Sequence, residues 1–140
     1  MPRVIGTDHA PAAIGAYSQG VVASGLVFTS GQLGMRRVGD DWVLDGDVVQ
    51  QTERALANVG AVLHAGGSSL ADVVKVSVFL KDMNDFAAMN AVYEKTFRGV
   101  HGVRDGEPAP FPARAAVEVA RLPKDGLIEI EAVGLVTAPE

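Results

Sequence analysis

The segment FPARAAVEVARLPKDGLIEIEAVG, residues 111–134, decides how this chain folds. It reads as two strands joined at PKDG (123–126), and the simplest such connection is a hairpin. Side chains alternate between the two faces of a strand. Arg114 therefore shares a face with Ala116, Glu118 and Ala120. Glu129 lies with Leu127, Glu131, Val133 and Leu135, while Ile128, Ile130 and Ala132 point the other way. Both faces of the final strand carry apolar residues. Helices can cover one of them; a second subunit is the simplest cover for the other. A tight hairpin sets Glu129 opposite Ala120, which leaves Arg114 roughly 20 Å further along the partner strand. If Arg114 and Glu129 serve one site, that site spans a subunit boundary.

Working back from this segment, Gly- and Pro-rich RGVHGVRDGEPAP (98–110) breaks any helix. Before it, a helix is expected from about Asn84 to Arg98, with Phe86, Met89, Tyr93 and Phe97 on one side. ADVVKVSVFLKD (71–82) alternates Val74, Val76, Val78 and Leu80 with Lys75, Ser77 and Lys81, the pattern of a strand with one more polar face. Further upstream Val48, Thr52, Ala55, Leu56, Val59, Val62 and Leu63 recur at helical spacing. Asp47 and Gln50 form a capping box for that helix, and Gly66-Gly67 end it. GDDWVLDGD (39–47) reads as a polar loop, and VIGT with QGVVASGLVFTSG as short strands broken at Gly25. Strands, helix, strand, helix and two strands make an α+β sandwich with both helices packed on one face of a mixed sheet.

Bulk properties narrow the function classes. At 140 residues the chain fits one domain, residues 1–140. It has no cysteine, which excludes disulfides, thiolate-held zinc and a thiol nucleophile. A net charge of −5 argues against nucleic acid or an anionic membrane as the main partner, and Arg36-Arg37 is the only adjacent basic pair. No apolar run approaches the ~18 residues of a membrane span. MPRVIGTDHAPAA lacks the apolar core of a secretory signal, so a cytoplasmic protein is expected. His9, His64 and His101 have no ligand spacing, so no metal is expected.

Four blocks, APAAIGAYSQG (10–20), FTSGQLG (28–34), VSVFLKDMNDFAAMNAVYEKTF (76–97) and FPARAAVEVARLPKDGLIEIEAV (111–133), resemble the RidA/YjgF family of enamine/imine deaminases. The likeness covers most of the chain in the family's order. It implies a chorismate-mutase-like fold, a homotrimer with clefts between subunits, and no cofactor. It also implies hydrolysis of 2-aminoacrylate-like enamines and imines to a 2-oxo acid and ammonia. Carried onto this chain, Arg114 grips the substrate carboxylate and Glu129 positions or activates the water. Tyr17, Ser30, Gly31 and Asn90 match the remaining cleft positions.

Physical chemistry suits these roles. A guanidinium gives a carboxylate two parallel charge-assisted bonds, and a carboxyl in a semi-dry cleft is raised toward the pKa of a working acid/base. Tyr17 has two roles open to it, hydrogen-bond donor or pocket wall. Gly31 permits close backbone approach, with its N–H free to bind an oxygen. Asn90 shares helical spacing with Phe86, Tyr93 and Phe97, so it either caps a core group or touches ligand. Outside the matched motif, Arg114 and Glu129 read as ordinary solvated or ion-paired strand residues. Many relatives place cysteine two residues after the arginine; here Ala116 stands there. That leaves direct hydration of the imine, with the Ala116 backbone carbonyl as a binding group. The loop before Phe111 is longer than in short relatives and enters the strand bearing Arg114. A trimer that only binds small carboxylates is the alternative class. A ribonuclease or translation inhibitor is the weakest, given the acidic chain, few exposed-looking aromatics and no basic stripe.

Overall fold

Alternation in VVKVSVFL builds the strand on which everything else is hung: Val76, Val78 and Leu80 are at most 1% exposed, whereas Lys75, Ser77 and Phe79 face the opposite way. The computed structural model describes residues 1–138. Among these, the strands are β1 (Arg3–Ile5), β2 (Gly20–Ala23), β3 (Leu26–Thr29), β4 (Gln32–Leu33), β5 (Met35–Val38) and β6 (Asp41–Leu44), followed by helix α1 (Val48–Ala65). Then come β7 (Val73–Leu80), helix α2 (Phe86–His101), β8 (Ala113–Glu118) and β9 (Ile128–Leu135). The main sheet runs β1-β2-β3-β9-β7-β8, with β4 added beside β9. It is mixed: β7 and β8 are parallel and the other pairs antiparallel.

The expected hairpin between residues 113–118 and 128–135 does not form. β8 is an edge strand parallel to β7, and β9 pairs with the other side of β7. A strand that returns through a helix comes back parallel, which is what the β7-α2-β8 order requires. After β8 the chain crosses the end of β7 through the 3-10 turn Pro123–Asp125, where Lys124 and Asp125 hold positive φ of 56° and 55°. Backbone bonds from Val119 N–H to Leu80 O and from Lys81 N–H to Leu127 O stitch this crossing to the strand end. The face assignments made from alternation hold on β9, where Ile128, Ile130 and Ala132 are buried and Glu129, Glu131 and Val133 are not. On β7 Val74 does not join Val76, Val78 and Leu80: an irregularity in the pairing between Val73 and Lys75 leaves Val73 buried and Val74 exposed.

α1 begins and ends where its sequence says. The Asp47 carboxylate accepts from Gln50 N–H, and the Gln50 side chain accepts from Asp47 N–H. Its face of Ala55, Leu56, Val59, Val62 and Leu63 is buried with the inner sheet residues and with Met89, Tyr93 and Phe97 of α2. Burying each such large side chain contributes about 1.5–3 kcal/mol. Both helices thus cover one face of the sheet.

Two local expectations need correction. Residues 39–47 are not all loop: β5 and β6 make a hairpin turning at Gly39 (φ 62°), because half-buried Trp42, Val43 and Leu44 give the polar stretch something to pack. α2 also runs past Arg98 to His101, tolerating Gly99, and stops at Gly102 in the left-handed region (φ 65°). The following loop is pinned by buried Arg98, whose Nη1 donates to Arg104 O and Glu107 O.

On the other face, Val4, Phe28, Val117 and Leu135 are 43–65% exposed. Tyr17, Phe28 and Phe111 are all more than 40% exposed, so the expectation of few exposed aromatics is not met. No helix is long and apolar enough to cross a membrane among the described residues.

Candidate active site

A bulge places the first group of residues. β9 pairs with β3 through Phe28↔Val133 and with β4 through Gln32↔Ile130, a register that shifts by one residue at Ser30-Gly31. The Ala132 N–H is bonded there by the Thr29 hydroxyl. Gly31 is driven against the Glu129 side chain: a Cβ at Gly31 would stand 2.8 Å from Glu129 Cδ. Ser30 is occupied structurally, its hydroxyl donating to Ser18 O and its N–H to Gln19 O. These bonds tie the 10–19 loop to the bulge and so bring Tyr17 near.

Tyr17, Gly31 and Glu129 line one cavity of about 540 Å³, together with Ile14, Trp42 and Lys124. Burial pushes the Glu129 carboxyl above its ordinary value, and the neighbouring charge of Glu131 pushes it the same way. Tyr17 is exposed, and its hydroxyl accepts from Ile14 N–H. Sequence reasoning missed the second layer. Buried Gln19 accepts from Thr7 N–H and donates to Thr7 O, Ala10 O and Pro11 O, fixing the loop that carries Tyr17. It also missed Trp42, whose only signal was the apolar WVL within an acidic stretch.

Arg114 is elsewhere. It pairs in register with Val76 and Glu129 with Phe79, three residues on along β7, so the two side chains leave opposite faces of the sheet. Arg114 lies on the helix side. Its Nη1 donates to Asn90 Oδ1 at 2.7 Å, and its Cζ lies 4.6 Å from the Tyr93 ring centre and 5.5 Å from that of Phe86. Asn90 therefore engages the arginine rather than a backbone group. Burial holds the Tyr93 hydroxyl pKa up to about 12. Ala116 follows Arg114 on the same face and packs against the core. The chain thus carries two separate groups, a cation with an aromatic and amide surround, and a carboxyl at the wall of a cavity.

A 2-iminobutanoate/2-iminopropanoate deaminase of Escherichia coli (strain K12) is 46% identical over 136 residues, covering 96% of this chain and 98% of that protein. The crystal structure of the YjgF gene product of E. coli superposes with a TM-score of 0.83 at 44% identity, over 96% of this chain and 99% of the other. That of E. coli TdcF with bound serine gives 0.83 at 41% identity, again over 96% and 99%. The family model described as Endoribonuclease L-PSP matches residues 7–136. With that match and those relatives over nearly its whole length, the chain belongs to the RidA/YjgF family.

Proposed function

We propose that this protein is a cytoplasmic, homotrimeric hydrolase of chorismate-mutase-like fold that deaminates 2-imino and 2-enamino acids. The observation that carries the reading is the separation of Arg114 and Glu129 onto opposite sheet faces, beside an exposed apolar face that a neighbouring subunit would cover. One chain's Arg114 then completes the cavity of the next. The related E. coli deaminase and the serine bound by TdcF support a small amino-acid-derived carboxylate as ligand.

In this mechanism the carboxylate of the imine tautomer docks on the free N–H edge of Arg114. Glu129, raised by burial, takes a proton from water as the water oxygen bonds to the imine carbon. The C=N bond becomes a C–N bond in a carbinolamine. Glu129 returns that proton to the nitrogen, making it NH2, and then carries the carbinolamine hydroxyl proton to the same nitrogen; the C–N bond breaks, ammonia leaves, and the C=O of the 2-oxo acid forms. Each turnover consumes one water and requires no metal or organic cofactor. In this reading Gly31 N–H and the Ala116 carbonyl orient the ligand, and Tyr17 walls the cavity. Ser30 acts through the loop it anchors.

Ammonia release from 2-iminopropanoate, generated in situ by an amino-acid oxidase, tests the reading. Wild type should exceed the spontaneous rate. Arg114→Ala should lose about 30- to 1,000-fold and Glu129→Gln ~10²–10⁴-fold. No acceleration by a correctly assembled wild type would favour the second reading, a trimer that binds small carboxylates without turnover, which the serine-bound relative also fits.

A further inference from the structure

Tyr93 is buried, titratable and unused by the chemistry above. It is 4% exposed, yet its hydroxyl has no hydrogen-bond partner among the described residues. What the ring does touch is Arg114, whose Cζ lies 4.6 Å from its centre. Phe86, Asn90 and Tyr93 recur at i, i+4 and i+7 along α2 and so form one stripe of the helix. All three meet the same guanidinium: Phe86 at 5.5 Å, Asn90 through the 2.7 Å bond from Nη1, and Tyr93. Of the five N–H donors of Arg114, only one of the two on Nη1 is bonded among the described residues.

An arginine side chain has many rotamers, and a ligand that must first immobilise it binds more weakly. A ring face within about 6 Å attracts the cation while leaving its in-plane N–H edge free, which a salt bridge to a carboxylate would not. We propose that Phe86, Asn90 and Tyr93 are positioning residues that hold the Arg114 guanidinium in a fixed orientation, so that its unbonded edge is preformed for a ligand carboxylate. The inference rests on Arg114 being the carboxylate-holding group. It assigns the work to ring faces, and makes the Tyr93 hydroxyl dispensable.

The test is calorimetric binding of pyruvate, with KM and kcat on 2-iminopropanoate, for the full-length assembled protein. Tyr93→Phe should bind pyruvate within about threefold of wild type, since the ring face is kept. Tyr93→Leu and Phe86→Leu should each weaken it by about tenfold, and KM should rise by more than kcat falls. Phe86 stands half-buried at the start of α2, so Phe86→Leu carries the test if Tyr93→Leu does not fold. Two results overturn the proposal alone: both leucine variants binding like wild type while Arg114→Ala does not, or Tyr93→Phe binding as weakly as Tyr93→Leu. Undiminished binding by Arg114→Ala would instead remove the functional reading, and this inference with it.

Discussion

Gly31 has no side chain because Glu129 fills the place where one would stand. The atoms a methyl group would strike are the far end of a half-buried side chain, not backbone. Gly31→Ala should therefore keep the fold, at a cost of about 1 kcal/mol or less, by pushing the carboxylate aside. Activity is another matter, since a displacement near 1 Å at a reacting group costs about 10²-fold. A melting temperature close to wild type with turnover reduced by that factor is the expected pair of results. Collapse of both would mean that Gly31 is a folding residue only. Glu131 acts on the same carboxyl through charge. It adds to burial in raising Glu129, so Glu131→Gln should bring the Glu129 pKa down. As the proposed general base, Glu129 works when ionised, so its working form should persist to lower pH in this variant. The acidic limb of the kcat/KM profile should shift to lower pH, the direction fixed by loss of a like charge. A shift to higher pH, or none, would exclude coupling between the two carboxyls.

At the level of elements, α1 was legible because its signals are local. Asp47, Gln50 and the periodic apolar face lie within the helix they specify, and all are seen as read. Asp47→Ala should remove the bond from Gln50 N–H to the carboxylate while keeping that from its own backbone N–H to the Gln50 side chain, lowering unfolding free energy by about 1 kcal/mol without changing activity, as measured by urea denaturation. The β8–β9 link was not legible. PKDG has turn chemistry whether the chain doubles back or passes over its neighbour. The choice is made at long range, where the Gln51 side chain on α1 accepts from Leu127 N–H, 76 residues away. The strand-helix-strand order around α2 did contain the signal for a parallel pair. The alternation that assigned Arg114 and Glu129 to their faces survives this correction, because a side chain's face depends on its own strand's pleat. Which face meets the helices depends on the order of strands across the sheet, and that was unreadable from spacing. So was Gln19, a buried amide whose four bonds all run to a loop of no regular structure.

For the whole molecule, the sheet order turns a question about two residues into one about assembly. Had β8 and β9 paired as a hairpin, a longer turn could have brought Arg114 and Glu129 together within one chain. With β7 between them and an odd offset along it, no change of register by two residues puts them on one face. A joint site then needs two chains, and in the proposed trimer cyclic symmetry would give three equivalent copies of it. This arrangement makes a prediction that a site within one chain cannot share. On the proposed mechanism, Arg114→Ala and Glu129→Gln should each be nearly inactive alone. Unfolded together and refolded at equal concentration, they form mixed trimers in which some sites take the intact Arg114 of one chain and the intact Glu129 of its neighbour. Random assortment restores about a quarter of the sites, and activity should recover to about that fraction of wild type. The same two variants combined without unfolding serve as the control. If the refolded mixture stays as inactive as either variant while its mass remains three times the 14.6 kDa of one chain, the two residues do not share a site, and Arg114 must hold its ligand without Glu129.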